Sequence, residues 1–235
     1  MKYTSEEILN RLRSLSNPSN VEGMARFGIN PQGTLGISIY VLRKIAKECG
    51  KDHHLAGELW GSGVHEARIL ASMIDEPDLV DEQQLERWVK DFDSWDVCDQ
   101  VCDLFGRLPI APHKAMQWSE RPEEFVKRAG FAIMAELAWH DKQAKDELFE
   151  AFFAPIVRES GDGRNFVRKA VNWALRNIGK RNARLNRLAI ETAREIGKID
   201  SKSARWIASD AIRELTSEKV RHRLRISPAE EILRE

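Results

Sequence analysis

A five-residue motif that returns after 41 residues constrains this chain more than any other feature: Phe125-Val126-Lys127-Arg128-Ala129 recurs as Phe166-Val167-Arg168-Lys169-Ala170. That spacing suits a repeating helix pair, a unit that buries its apolar face only by stacking on its neighbours. A fainter echo sets Ala174-Leu175-Arg176 against Ala211-Ile212-Arg213, 37 residues on, and His65 to Leu70 reads as an earlier, more divergent copy. The rest of the chain agrees. Apolar residues recur at helical spacing throughout, with no convincing period-two alternation. Helices are expected over 5–15, 19–27, 38–49, 52–60, 64–74, 81–92, 94–105, 112–118, 122–139, 142–159, 164–179, 183–197, 201–215 and 217–225. Short Gly, Pro, Asn and Asp punctuation separates them. Neither Asn30-Pro31-Gln32-Gly33 nor Gly161-Asp162-Gly163 is long enough to be a domain linker. The expected architecture is all-α: a single HEAT/armadillo-like solenoid over 1–235, built of antiparallel helix pairs, with one helix of each pair lining a concave basic surface.

Charge refines this. The chain carries 37 basic and 37 acidic residues, and a neutral total taken alone argues against a nucleic-acid binder. The distribution is uneven, however. From Asp75 to Asp103 acids dominate, opposed only by Arg87 and Lys90, whereas Gly163 to Ile190 holds no acid and eight cations. No apolar run approaches the ~20 residues that cross a bilayer, so no membrane association is expected. The N-terminus lacks a signal-peptide core and starts a helix, with Thr4 and Glu7 spaced as a capping box. Cys49, Cys98 and Cys102 lie inside helical patterns and form no disulfide framework, which suggests a reduced, cytoplasmic protein. Cys98 and Cys102 are one turn apart but on or beside the apolar side, without further ligands nearby in sequence; no metal or cofactor is expected. His53, His54 and His65 read as solvated or capping residues, and Trp60, Trp88, Trp118 and Trp206 as packing residues. Gly33 to Gly36 is the most flexible-looking stretch of the N-terminal half, and it resembles no phosphate-binding loop.

Two helices stand out. In the first, Ser94 is suited to the N-cap and Asp96 to the first turn. Val97, Cys98, Val101, Leu104 and Phe105 gather on one side, and Trp95, Asp99 and Asp103 on the other. In the second, Phe166, Val167, Ala170, Val171, Ala174 and Ile178 form the apolar side. Lys169, Asn172, Arg176 and Lys180 form the other, with Trp173 at its edge. By the repeat, Arg128 takes the position of Lys169 one helix pair earlier.

Cations along a groove would hold a phosphate backbone with salt-dependent affinity. Exposed indole faces would meet a base, a sugar or a cationic ligand. A carboxylate such as Asp99 repels phosphates and is useful there only where positive charge must be stabilised. N3- and N7-alkylated purines meet both demands, because the base is cationic and breaking its glycosidic bond builds positive charge on the sugar.

These residues resemble the AlkD-type DNA alkylation-repair family. The likeness rests on Trp95 and Asp99 in Ser-Trp-Asp-Val-Cys-Asp, Arg128 in Phe-Val-Lys-Arg-Ala, and Trp173 and Arg176 in Lys-Ala-Val-Asn-Trp-Ala-Leu-Arg. It runs from about Glu22 to residue 215. It implies a HEAT-like solenoid that excises cationic alkylpurines from double-stranded DNA without a metal, contacting the lesion-bearing backbone rather than flipping the base into a pocket. By the same resemblance Asp99 is the catalytic carboxylate, Trp95 and Trp173 flank the lesion deoxyribose, and Arg128 and Arg176 bind phosphates. Lys169 and Lys180 share the basic stripe, and a monomer is expected. One departure stands at Phe27, where active members of the family carry a tyrosine: the aromatic face is kept and a hydroxyl is lost. Relatives of this fold that bind DNA without glycosylase activity leave a non-catalytic reading, with bent or branched DNA as ligand. A protein-interaction solenoid is the third class.

Overall fold

The computed structural model describes residues 3–226. Among the described residues there are fifteen α-helices, two 3-10 turns and no strand, and no helix is long and apolar enough to cross a membrane. They form two compact units that divide between Ala111 and Pro112.

The first unit holds α1 (Ser5–Ser14), α2 (Pro18–Arg26), α3 (Ile39–Cys49), α4 (His53–Gly61), α5 (His65–Ile74), α6 (Glu82–Trp88) and α7 (Trp95–Phe105). Thr4 and Glu7 make the expected reciprocal capping box on α1. Helix α5 is the hub and packs on α3, α4 and α7. With neighbours on several sides it buries polar positions as well as apolar ones, including His65 and Glu66. The Glu66 carboxylate has no exposure and accepts the backbone N–H groups of Leu35, Gly36 and Ile37, at 2.8, 2.7 and 3.1 Å. Gly36 stands at φ +78°, and a Cβ there would lie 2.3 Å from the Asn17 carbonyl, so only glycine fits. The stretch that looks flexible in sequence is therefore tied to α5 by a buried carboxylate whose lone pairs are satisfied by three donors. The segment expected as one helix over 81–92 divides into α6 and a 3-10 turn, Val89–Asp91. There the Trp88 ring stacks on Trp60 at 4.0 Å between centroids, and both indoles are buried as packing residues.

The second unit holds α8 (Ala111–Ser119), α9 (Glu124–His140), α10 (Asp146–Ala151), α11 (Phe153–Glu159), α12 (Asn165–Ile178), α13 (Ala183–Gly197), α14 (Lys202–Leu215) and α15 (Glu218–Leu224). Helix α12 packs on both α9 and α14, the helices that carry the repeated motifs. The repeat is a physical stack: the rings of Phe125 and Phe166, in equivalent positions, lie 5.6 Å apart. Gly130 lets α9 approach α8, since a Cβ there would fall 2.6 Å from the Ser119 nitrogen. The helix expected over 142–159 appears as α10 and α11, parted at Phe152. Pro155 supplies the reason: it has no N–H for the carbonyl of Ala151, where α10 ends, and it is tolerated in the first turn of α11.

Candidate functional site

The apolar stripe of α7 is buried as its spacing requires, with Val97, Cys98, Val101, Cys102 and Phe105 without exposure. On the other side Trp95, Asp96 and Asp99 are half-buried. Ser94 occupies the N-cap position but does not cap α7 through its side chain. Its Oγ instead accepts the Asn30 N–H at 2.9 Å, while the Asn30 amide donates to Asp93 Oδ2 at 2.8 Å. The Trp95 indole N–H donates to the carbonyl of Phe27 at 3.1 Å. The segment after α2 is thus fastened to the start of α7 by three hydrogen bonds. Trp95, its donor committed, offers a ligand only its ring. Phe27 is 75% exposed, so its ring is open to solvent.

Asp96 faces a partner that the sequence does not announce. His65 is buried, 4% exposed, and its Nε2 lies 2.9 Å from Asp96 Oδ2; the solvated or capping role expected for it is corrected. Burial pushes the imidazole pKa down, but the hydrogen bond and negative charge of Asp96 outweigh it, and the net shift is upward. The other Asp96 oxygen accepts the Val97 N–H at 3.0 Å. Asp96 is a structural carboxylate, and Asp99 stands one helical turn on from Trp95. His53 is also tied, its Nδ1 2.6 Å from buried Asp75, while His54 is exposed as expected.

On α12, Trp173 is half-buried and Lys169 exposed. Arg176 and Lys180 are held from α14: Arg176 pairs with Glu214 and lies 3.4 Å from Asp210, and Lys180 reaches Glu214 at 2.7 Å. Burial raises the Glu214 pKa, but Lys180 and Arg176 lower it further, so the net shift is downward. Asn172 donates to Asp210 at 2.6 Å. Arg128 is only 5% exposed and donates to the Phe166 carbonyl at 2.6 Å, so its place is within the α9–α12 packing rather than on an open face. The acid-free run therefore has acidic partners after all, from a helix beyond its end. One signal was available: Asn172 to Asp210 and Arg176 to Glu214 are both separated by 38 residues, close to the repeat.

The family described as DNA alkylation repair enzyme matches residues 8–215. The chain belongs to that family. A relative from Listeria innocua, an uncharacterized protein, is 25% identical over 201 residues, covering 83% of this chain and 88% of its own. A solved structure described as a new family of proteins related to the HEAT-like repeat DNA glycosylases, with affinity for branched DNA structures, superposes with a TM-score of 0.72. It covers 90% of this chain and 95% of its own at 21% identity, and so bears on the fold alone. The expected all-α, HEAT-like class is the observed one.

Proposed function

We propose that this member of the family excises cationic N3- or N7-alkylated purines from double-stranded DNA. Asp99 stabilises the positive charge that builds on the deoxyribose and orients the attacking water, the Trp95 ring walls the sugar, and Trp173 offers its ring to the DNA. Because the alkylated base is already a good leaving group, a carboxylate suffices where other glycosidic bonds need an acid as well. The supporting observation is α7 itself, which carries the half-buried Trp95 ring, its N–H spent on the Phe27 carbonyl, and Asp99 one turn later on the same side. In this reading Lys169, Arg176 and Lys180 meet phosphates, Arg128 holds α9 to α12 from within the stack, and Phe27 contacts DNA through its ring. Phosphates must then compete with Glu214 for Arg176 and Lys180. The test is release of 7-methylguanine or 3-methyladenine from alkylated DNA by the wild type and by Asp99→Asn. Equally little release by both would refute excision.

A second reading is DNA binding without excision. It is favoured by the missing hydroxyl at the exposed Phe27 and by the description of the solved relative as having affinity for branched DNA structures. No base release, combined with tighter binding to a four-way junction than to a duplex, would select it.

A further inference from the structure

Where α9, α12 and α15 end, the second unit has an open depression of about 240 Å³, lined in part by Trp139, Lys142, Asp146, Lys180, Arg181 and Arg223. In a chain with as many acids as bases, many cations of the second unit find a carboxylate, Lys127, Arg164 and Arg176 among them. Lys142, Arg181 and Arg223 form no ion pair among the described residues. Asp146, the acid at the rim, is engaged by the Asn182 amide at 2.9 Å and lies 3.7 Å from Arg184. Lys180 is taken by Glu214.

The three cations are nonetheless fixed in place. Arg181 donates to the carbonyls of Ala138 and Ala144, at 2.9 and 3.3 Å, and its guanidinium lies 3.9 Å from the Phe149 ring centre. Lys142 donates to the Trp139 carbonyl. Lys142 and Arg223 both lie 5.4 Å from the centre of the Trp139 ring, which is about half exposed. An indole face attracts cations but does not cancel their charge. The cluster also pushes back on itself: burial, then the charges of Arg181 and Arg223, lower the Lys142 pKa. The carboxylates of Asp141 and Asp146 act on Arg181 without forming an ion pair with it, the cations outnumber them, and an anion with several acceptor oxygens relieves the excess.

We propose that this depression is a further DNA contact within the second unit, a subsite for a backbone phosphodiester beyond the end of α12, with Trp139 holding Lys142 and Arg223 at its mouth. It shares with the excision reading that the chain binds DNA and that Lys180 lies on the bound surface. The experiment measures binding of an unmodified duplex across a salt series for the wild type and for Lys142→Gln/Arg223→Gln, with thermal melting as a check on folding. The variant is expected to bind about tenfold more weakly at low salt. Its slope of log affinity against log salt should be shallower by about 1, because one fewer phosphate is neutralised. Trp139→Ala should lose part of the same affinity, and Trp139→Phe should restore it. An unchanged slope in a folded double variant overturns the proposal. Replacing chloride by inorganic phosphate at constant ionic strength separates the sources. Little competition is expected, whereas displacement by submillimolar phosphate would make this a free-phosphate site and overturn the backbone assignment. Base release from alkylated DNA is read in parallel. A shallower slope without release refutes excision alone, and release with an unchanged slope refutes the subsite alone.

Discussion

Helices α7 and α12 each carry a half-buried tryptophan, but they treat the charge beside it in opposite ways. On α7 the carboxylate of Asp96, next in sequence to the indole, is held from inside by a buried histidine, and the indole N–H is spent on the Phe27 carbonyl. On α12 the cations are neutralised from outside, by Asp210 and Glu214 on a neighbouring helix, and Lys169 remains exposed. The first arrangement fixes geometry and suits chemistry. The second stores cations in ion pairs that a polyanion can exchange, and suits affinity. Variants on α7 should therefore change rate or stability, and variants around α12 should change binding and its salt dependence.

The largest effect tests the α7 side. Asp99→Asn is expected to slow base release by about 10²–10³-fold, the scale for removing one group that stabilises a developing charge, with duplex affinity unchanged or slightly raised. A matching fall in affinity would break the division of roles. Next, His65→Ala leaves Asp96 without its buried partner and should cost about 3 kcal/mol in denaturant unfolding. A change below about 0.5 kcal/mol would show that the pair does not hold α7.

The same pair makes a pH prediction. The folded pKa of His65 lies above its ordinary 6.5. Its contribution to stability is present in full below that value and is lost as pH rises through the folded pKa. Melting temperature should fall on that alkaline side in the wild type, and the fall should flatten in His65→Gln. Glu214 has the opposite sign: held below its ordinary 4.5, it stabilises above that value and loses its ion pairs only as pH falls through the folded pKa.

On the α12 side, Glu214→Gln releases Lys180 and leaves Arg176 only its 3.4 Å contact with Asp210. Duplex binding should tighten by several-fold at low salt, with a slope steeper by about 1. Weaker binding would mean that Glu214 orients these cations for phosphate rather than competing with it. The smallest effect is expected from Trp95→Phe, which keeps an aromatic ring and removes one hydrogen bond to Phe27, worth about 1 kcal/mol. Base release should drop modestly with affinity intact.

Helix class, the repeat and the buried stripe of α7 follow from periodicity, because burying one face of each helix is a local pattern repeated along the chain. Trp95 and Asp99 share a face of α7 for the same reason. Charge partners do not follow, since they depend on which helix packs where. His65 is one imidazole at the start of an apolar helix until α5 is placed against α7, and Glu66 looks like a surface acid until three N–H groups of the Leu35–Ile37 segment close on it. The acid-free run from Gly163 to Ile190 promised a bare basic stripe, and α14 supplied Asp210 and Glu214. Arg128 matched an exposed repeat position, yet it lies inside the stack with its guanidinium on Phe166.

The sequence by itself determined that this chain is a stack of amphipathic helices, which face of each is apolar, and which family it resembles. Only the tertiary structure decided which charges are cancelled, which donors are spent, and where three cations meet without an ion pair among the described residues. Hydrophobic periodicity is a property of neighbours along the chain. Electrostatic pairing is a property of neighbours in space, often about 40 residues apart, and it falls so steeply with distance that a shift of a few ångströms decides it.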